Sequence, residues 1–168
     1  MRFPVHGDLH VGQFLRSEGA AGVQYAIVDF DGDPQHPVSA DGGEAVDVAA
    51  ADLAHLLVSV DLVGSIVQKR LGRRDERVLA WAAEAREELA GAYREGLASL
   101  DPGVESLLDE RVVAALEVEQ FARELTYARR FLPRWEYAPD GALSARYEPS
   151  TDDSLEEIPW TPPGSATT

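Results

Sequence analysis

Two short stretches near the start of the chain carry residue types that could perform chemistry together. The first is His-Gly-Asp-Leu-His-Val-Gly-Gln at residues 6–13, and the second is Ala-Ile-Val-Asp-Phe-Asp at residues 26–31. An aspartate carboxylate can accept a proton from a hydroxyl group. Carboxylate and amide oxygens are also the hard ligands that Mg²⁺ prefers. The two stretches therefore indicate a site where a base and a magnesium ion act together.

The separation of Asp8, Gln13 and Asp29 fits phosphoryl transfer. Transfer of a γ-phosphoryl group requires a carboxylate that receives the acceptor proton and ligands that hold Mg²⁺ on the phosphates. In protein kinases an amide five positions after the catalytic aspartate holds a metal, and an aspartate after a strand holds it as well. Gln13 and Asp29 stand at the corresponding places after Asp8. Either aspartate alone could be an ordinary turn or strand-end carboxylate, whereas the combination in this order favours catalysis.

A β-hairpin is predicted to bring the two stretches together. Residues 13–16 and 23–30 are strand candidates, and a glycine-rich turn separates them. Pairing of these strands would place Gln13, at the start of one, near Asp29, at the end of the other. A polar loop rich in Asp, Gly and Pro is predicted to follow over residues 31–43.

Three long helices are predicted after this loop. Apolar residues recur at helical spacing in the segments 45–71, 75–99 and 104–131. Gly72 is expected to cap the end of the first helix, Asp75 to cap the start of the second, and Asp109 to mark a break near the start of the third. The pattern then fades, which predicts an extended or disordered tail over residues 141–168.

The composition limits the class of protein. The chain has 168 residues, of which 45% are hydrophobic, so it suits one domain or one lobe of a larger enzyme. Cysteine is absent, which excludes disulfides and thiolate metal sites. The formal net charge of −15 argues against a nucleic-acid partner. Without a run of about 18 apolar residues or a signal-peptide pattern, we expect a cytoplasmic protein with no membrane span.

The two motifs resemble those of the aminoglycoside phosphotransferase-like kinases. His-Gly-Asp-Leu-His at 6–10, Gly-Gln at 12–13 and Asp-Phe-Asp-Gly-Asp-Pro at 29–34 carry this resemblance. Gln13, where most of the superfamily has Asn, is similar to the maltokinase and bacterial glucosamine kinase branch. The segment 51–61 resembles the first C-lobe helix of that branch. The segment 127–135 resembles its closing segment and is nearer to the glucosamine kinases.

The resemblance implies a fold and a reaction. The fold would be α+β and mainly helical, namely the C-terminal lobe of a protein-kinase-like fold over residues 1–140. A short β-hairpin would carry the catalytic and metal loops at 6–34, and the helical body would span 45–135. The reaction would be phosphorylation of a sugar hydroxyl, dependent on ATP and Mg²⁺, with glucosamine preferred to maltose.

The resemblance also implies roles for individual residues of the two loops. Asp8 would be the catalytic base, and Gln13 and Asp29 would be metal ligands. Asp31 would help to hold a second metal or only solvate its loop, and Asp33 has the same two interpretations. His6 would support the metal loop by packing near Phe30. His10 is interpreted as making a structural hydrogen bond within the catalytic loop.

Candidates for the substrate pocket lie further along the chain, and each has a simpler alternative. The candidates for contacting a sugar or its ammonium group are Asp52, Glu119, Glu124 and Trp135. Carboxylates on helices are more often solvated or favoured by the helix dipole, and an aromatic residue after a helix usually closes the core. His55 is interpreted as a filler of the core or surface.

The sequence departs from such kinases in one part. No glycine-rich phosphate loop and no strand-borne lysine precede residue 6, and Lys69 is the only lysine. The N-terminal lobe, which supplies the adenine hinge and that lysine, would therefore be missing or belong to a separate chain. The alternatives are a truncated or split non-catalytic fragment and a helical binding module whose motif is accidental.

Overall fold

The chain folds into an α+β structure that is mainly helical. The computed structural model describes residues 3–20, 22–32, 46–100 and 108–147. The strands are β1 (Phe3–Pro4), β2 (Phe14–Gly19), β3 (Gly22–Ile27) and β4 (Val46–Asp47). The helices are α1 (Ala49–Leu71), α2 (Glu76–Leu100), α3 (Glu110–Phe131) and α4 (Tyr137–Tyr147).

The predicted hairpin is confirmed. Strands β2 and β3 pair antiparallel from Phe14 opposite Ile27 to Gly19 opposite Gly22. The strands continue into the predicted turn because Gly22 adopts a φ of +94°, which allows a tight reversal. At the open end of the hairpin the Val28 N–H donates to the Gln13 carbonyl oxygen at 3.1 Å.

Helix α1 is the central element, and the other three helices pack on it. Its buried apolar residues include Ala50, Leu53, Ala54, Leu57 and Val58. By length and composition alone α1 is long and apolar enough to cross a membrane, but more than half of that stretch is buried within the fold. The packing of α2, α3 and α4 on its apolar surface explains this composition, because the central helix of a folded core is long and apolar as well.

The helix boundaries follow local chemistry, with one correction at the start of α1. The first helix was predicted from residue 45, but residues 46–47 form β4, which pairs with β1. Gly72 ends α1 with a φ of +66°, as predicted. Asp75 precedes α2 and its Oδ1 accepts from the Arg77 N–H at 3.0 Å, which confirms the predicted cap.

The start of α3 also differs from the prediction. The helix begins at Glu110, and Asp109 caps it by accepting from the Arg111 N–H at 3.1 Å. The break expected at Asp109 is therefore the N-terminus of the helix. Residues 104–107, where the sequence places the first turn, lie outside the described residues.

Helix α4 corrects the predicted tail. Residues 141–147 were predicted to be extended or disordered, but they form the second half of a helix that packs on α1. The contact is close, since a Cβ at position 141 would lie 2.5 Å from the Ser65 Oγ. Pro139 is tolerated because it lies in the first turn of the helix. The rest of the predicted tail, the loop 33–45 and its Asp33 lie outside the described residues.

A buried charge network joins α1, α2 and α3. Arg86 of α2 donates to the Asp61 Oδ2 at 2.7 Å and to the Glu117 Oε1 at 2.6 Å. The Arg146 guanidinium lies 3.8 Å from the other oxygen of Glu117. Burial raises the pKa of Asp61 to about 6, with Arg86 and Arg146 opposing and Glu117 adding to the rise. These ion pairs connect three helices. Removal of one partner would leave a buried charge unpaired, which lowers the stability of the fold.

Candidate active site

Asp52 anchors the catalytic loop to α1. Its two carboxylate oxygens accept from the backbone N–H groups of His6 at 2.8 Å and Gly7 at 2.9 Å. Asp52 is 7% exposed and lies in the first turn of α1. The sequence marked Asp52 as a substrate contact, but the structure gives its carboxylate backbone partners. Its direct effect is to fix the direction of the loop that carries Asp8.

His6 joins the catalytic loop to the metal loop. Its Nε2 lies 2.9 Å from the Val28 carbonyl oxygen, and its Nδ1 accepts from the Asp8 N–H at 3.3 Å. These two partners together require a neutral ring with the proton on Nε2. The ring centroid lies 4.6 Å from that of Phe30, the neighbour expected from the sequence. His6 is 4% exposed, so its contacts join the two loops from within the fold.

Asp8 faces two histidines. The His55 Nε2 lies 3.5 Å from the Asp8 Oδ1, and the His10 Nε2 lies 3.9 Å from the Asp8 Oδ2. His55 also lies 3.8 Å from the Glu124 Oε1. The side chain of Asp8 is 20% exposed, which leaves it accessible to a ligand. Each oxygen of the carboxylate therefore has an imidazole nitrogen nearby.

Gln13 and Asp29 meet across the open end of the hairpin. The Gln13 Nε2 donates to the Asp29 Oδ2 at 3.1 Å, so the predicted proximity of these residues is confirmed. Gln13 is 7% exposed, whereas Asp29 is exposed. Asp29 has a φ of +66°, and among the described residues it is the one non-glycine with positive φ. Aspartate tolerates this region better than most side chains, and residues held there often lie at functional sites.

His10 lies between Gln13 and Asp8, and its ring bears on the orientation of the Gln13 amide. The His10 Nδ1 accepts from the Gly12 N–H at 3.0 Å, so in a neutral ring Nε2 carries the proton. That Nε2 lies 3.3 Å from the Gln13 Nε2, which is itself a donor. This contact becomes a hydrogen bond only if the amide turns and presents Oε1, and that turn would end the donation from Gln13 to Asp29. Gly12 permits this arrangement, because a Cβ there would lie 2.8 Å from the ring.

Gln13 and Asp29 carry side-chain oxygens of the kind that could hold a magnesium ion. The Gln13 amide turns its N–H and not its oxygen towards Asp29, at 3.1 Å, so a metal at this pair would require the other orientation of the amide. Mg²⁺ in kinase-type sites is held by one or two protein ligands, phosphates and water. Within the described residues no group of three or more His, Cys, Asp or Glu side chains could hold a metal by itself. Asp31 follows Phe30 directly, lies in a turn and is exposed.

The remaining substrate candidates separate into two places. Glu124 contacts His55 and accepts from Gln120 at 3.0 Å, so it lies beside the base. Glu119 pairs with Arg123 and lines a cavity of about 70 Å³ between the catalytic loop, α1 and α3. Both residues therefore lie near the loop, and Glu119 forms an ion pair with Arg123.

Trp135 lies elsewhere. Its ring stacks on that of Tyr137 at a centroid distance of 6.1 Å. The Tyr137 carbonyl accepts from Ser65, which lies roughly 15 Å along α1 from His55 at 1.5 Å per residue. The Lys69 ammonium lies 5.4 Å from the Tyr137 ring. This placement does not support the substrate contact predicted for Trp135.

The sequence did contain a signal for the residues that hold the loop. Asp52, His55 and Ser59 occur at helical spacing on an otherwise apolar segment, so they share one face of α1. Asp52 holds the start of the loop and His55 contacts Asp8. Ser59 accepts from the Val11 N–H at 3.1 Å and donates to the Leu56 carbonyl. This polar face was missed because each residue was considered alone, and His55 was interpreted as filler.

Curated relatives and solved structures resemble this chain over most of its length. A glucosamine kinase from Streptacidiphilus jiangxiensis is 44% identical over 141 residues, which are 83% of this chain and 30% of that protein. A glucosamine kinase from Mycolicibacterium smegmatis is 39% identical over 151 residues, 87% of this chain and 35% of that protein. The chain is homologous to part of the glucosamine kinases. It spans about a third of the length of these relatives. No family model matches.

The structural comparisons agree with the sequence comparisons. A structure of glucosamine kinase in complex with glucosamine, ADP and inorganic phosphate has a TM-score of 0.73 and 42% identity, covering 85% of this chain and 34% of that one. A second crystal form of glucosamine kinase has a TM-score of 0.74 and 41% identity, covering 87% and 34%. At this identity the backbone likeness reflects common descent and not only a shared architecture.

Proposed function

We propose that this chain provides the base and the metal ligands of an ATP- and Mg²⁺-dependent glucosamine kinase, as the C-terminal lobe of a kinase-like fold. The supporting observation is that His6 joins the loop of Asp8 to the strand end before Asp29, where Gln13 donates to the Asp29 carboxylate. These contacts lie in a chain homologous to glucosamine kinases. Of the two sugar kinases that the sequence resembles, these comparisons favour the glucosamine kinase over the maltokinase. ATP use also fits the cytoplasmic location that we expect.

In the proposed reaction Asp8 positions the acceptor hydroxyl of the sugar and receives its proton. The hydroxyl oxygen then bonds to the γ-phosphorus, and the bond from that phosphorus to the bridging oxygen of ADP breaks. Gln13 and Asp29 would hold Mg²⁺, which offsets the charge of the phosphates when bound. His6 would hold the loop of Asp8 and the loop of Asp29 at a fixed separation during transfer.

The surroundings of Asp8 favour an aminosugar over a neutral one. Glu124 lies next to His55 at the same end of α1, and its side chain is 26% exposed. A carboxylate close to the base can pair with an ammonium group on the acceptor sugar. The solved relative that contains glucosamine, ADP and phosphate supports the same choice.

The test uses this chain joined in one polypeptide to the part of the Streptacidiphilus kinase that it does not match. We expect ATP- and Mg²⁺-dependent phosphorylation of glucosamine, with maltose and glucose poorer acceptors. Asp8→Asn should lower kcat by at least a thousandfold while the thermal midpoint changes little, because the side chain is partly exposed. Asp140→Asn, on the exposed surface of α4, is the matched control. Full turnover by the Asp8 variant, or a preference for neutral disaccharides, would contradict the proposal.

A further inference from the structure

The Gln13 amide lies between a donor and an acceptor that compete for the same atom. Its Nε2 donates to the Asp29 Oδ2 at 3.1 Å and lies 3.3 Å from the His10 Nε2. Gln13 is 7% exposed, so water has little access to relieve an unfavourable contact. Because the two ends of an amide are a donor and an acceptor, His10 and Asp29 together decide which way this amide points.

The His10 ring is held in the form that presents a donor to Gln13. Its Nδ1 accepts from the Gly12 N–H at 3.0 Å, so a neutral ring carries its proton on Nε2. The ring lies tightly on the loop backbone, since a Cβ at position 12 would be 2.8 Å from the His10 Cε1. The Asp8 Oδ2 lies 3.9 Å from the same Nε2, beyond hydrogen-bonding distance, so the Gln13 amide is the nearer partner.

The two neighbours favour opposite orientations of the amide. With the Gln13 nitrogen in place, the Asp29 carboxylate accepts a charge-assisted bond, while two donors face each other at His10. With the Gln13 oxygen in place, the His10 N–H gains an acceptor, while two oxygens face each other at Asp29. A cation at Asp29 reverses the balance, because a metal binds the amide oxygen and its charge removes the repulsion between the two oxygens.

We propose that His10 is a positioning residue that favours the orientation of the Gln13 amide that a metal ion requires. This inference rests on the proposed function, in which Gln13 and Asp29 hold Mg²⁺. The donation from Gln13 to Asp29 ends when the amide turns, and the bond from His10 to the turned amide offsets part of that loss. Hydrogen bonds that orient the ligands of a metal contribute roughly 10- to 100-fold to its affinity.

Two substitutions of His10 separate its contact with Gln13 from its contact with Gly12. His10→Asn retains an acceptor at the place of Nδ1 but removes the donor that faces Gln13. His10→Gln retains an amide donor at the place of Nε2 but removes the acceptor of the Gly12 N–H. If His10 only shaped the loop, the asparagine variant would resemble the unchanged protein and the glutamine variant would be impaired. The proposal predicts the reverse order.

The first measurement is the free Mg²⁺ concentration that half-saturates ADP binding to the joined polypeptide. We expect this concentration to rise by about tenfold in His10→Asn and by less than about threefold in His10→Gln. Asp140→Asn, on the exposed surface of α4, is the control and should leave it unchanged. Equal values for His10→Asn and the unchanged protein would overturn the inference.

A second measurement uses the chain alone and needs neither nucleotide nor turnover. Nuclear magnetic resonance of the imidazole nitrogens at alkaline pH should show the His10 proton on Nε2. Added Mg²⁺ should shift the side-chain amide signals of Gln13, and His10→Asn should require about tenfold more Mg²⁺ for the same shift. A proton on Nδ1, or the same Mg²⁺ dependence in both proteins, would overturn the inference.

These outcomes separate the inference from the proposed reaction. Mg²⁺ binding that depends on Gln13 but not on His10 would overturn the role of His10 and leave the kinase assignment standing. The predicted order of the two His10 variants without phosphorylation of glucosamine would do the reverse. Absence of any Mg²⁺ response in either measurement would overturn both.

Discussion

The carboxylate of Asp52 accepts the backbone N–H of His6 at 2.8 Å, across 46 positions of sequence. With the second bond to Gly7, this contact ties the first turn of α1 to the catalytic loop. Asp52→Ala should lower the free energy of unfolding by about 2–4 kcal/mol, because two largely buried N–H groups lose a charged acceptor. Urea denaturation measures this change. Asp140→Asn is the exposed control, and an equal effect of both substitutions would contradict the assigned role.

The Gln13–Asp29 pair predicts a metal response that can be measured without turnover. Gln13→Glu places two carboxylates about 3 Å apart, so it should lower the thermal midpoint in a metal chelator. Added Mg²⁺ should raise the midpoint of this variant more than that of the unchanged chain, because the new oxygen is a better ligand. Differential scanning calorimetry across a magnesium titration checks both effects. Gln24→Glu makes the same change at an exposed position of β3 and is the control. An identical Mg²⁺ response in all three proteins would argue against a metal at this pair.

His55 is predicted to position Asp8. In the joined enzyme His55→Leu should lower kcat by roughly tenfold with little change in KM for the sugar, because it removes the imidazole 3.5 Å from the carboxylate. His55→Gln retains an N–H donor and should recover most of the rate. The pH profile of kcat should also change shape in the leucine variant. If glutamine and leucine were equally impaired and the profile unchanged, His55 would have only a packing role.

Asp61 predicts a pH dependence of stability. Its pKa is raised from 3.8 to about 6 in the folded chain, so the folded state binds more protons than the unfolded state between those values. The contribution of Asp61 to stability is therefore greatest below pH 3.8 and is lost as the pH rises towards 6. The loss is on the order of 3 kcal/mol, from 1.36 kcal/mol per unit.

The measurement for Asp61 is chemical denaturation at several pH values between 4 and 7. The difference in unfolding free energy between the unchanged chain and Asp61→Asn should vary with pH over this range. Asp75→Asn provides a contrast, since the pKa of Asp75 is lowered to about 2 by Arg77. Stability from Asp75 is present above pH 3.8 and falls as the pH drops towards 2. A difference that is flat with pH for Asp61 would mean that its partners, and not burial, control its ionisation.

Much of the local structure could be predicted from short-range chemistry. The hairpin, the cap at Gly72 and the cap at Asp75 follow from turn residues and capping side chains, which act over a few positions. Helix α4 was missed because Pro139 and Gly141 are poor helix formers. Burial of Ala138, Pro139 and Ala142 supports that helix instead. The start of α1 was placed too early because β4 depends on pairing with β1, more than 40 positions away.

By itself the sequence predicted which residues could do the chemistry: an aspartate as base, an amide five positions later, and an aspartate after a strand. Reactivity belongs to side-chain type, and the order of these types along the chain is readable. Only the tertiary structure decided how each residue is used. It shows that the Asp52 carboxylate bonds to the loop backbone, that His55 lies beside Asp8, and that Trp135 packs on Tyr137. Those outcomes depend on where α1 meets the loop and α3, and helix packing sets such distances between residues far apart in sequence.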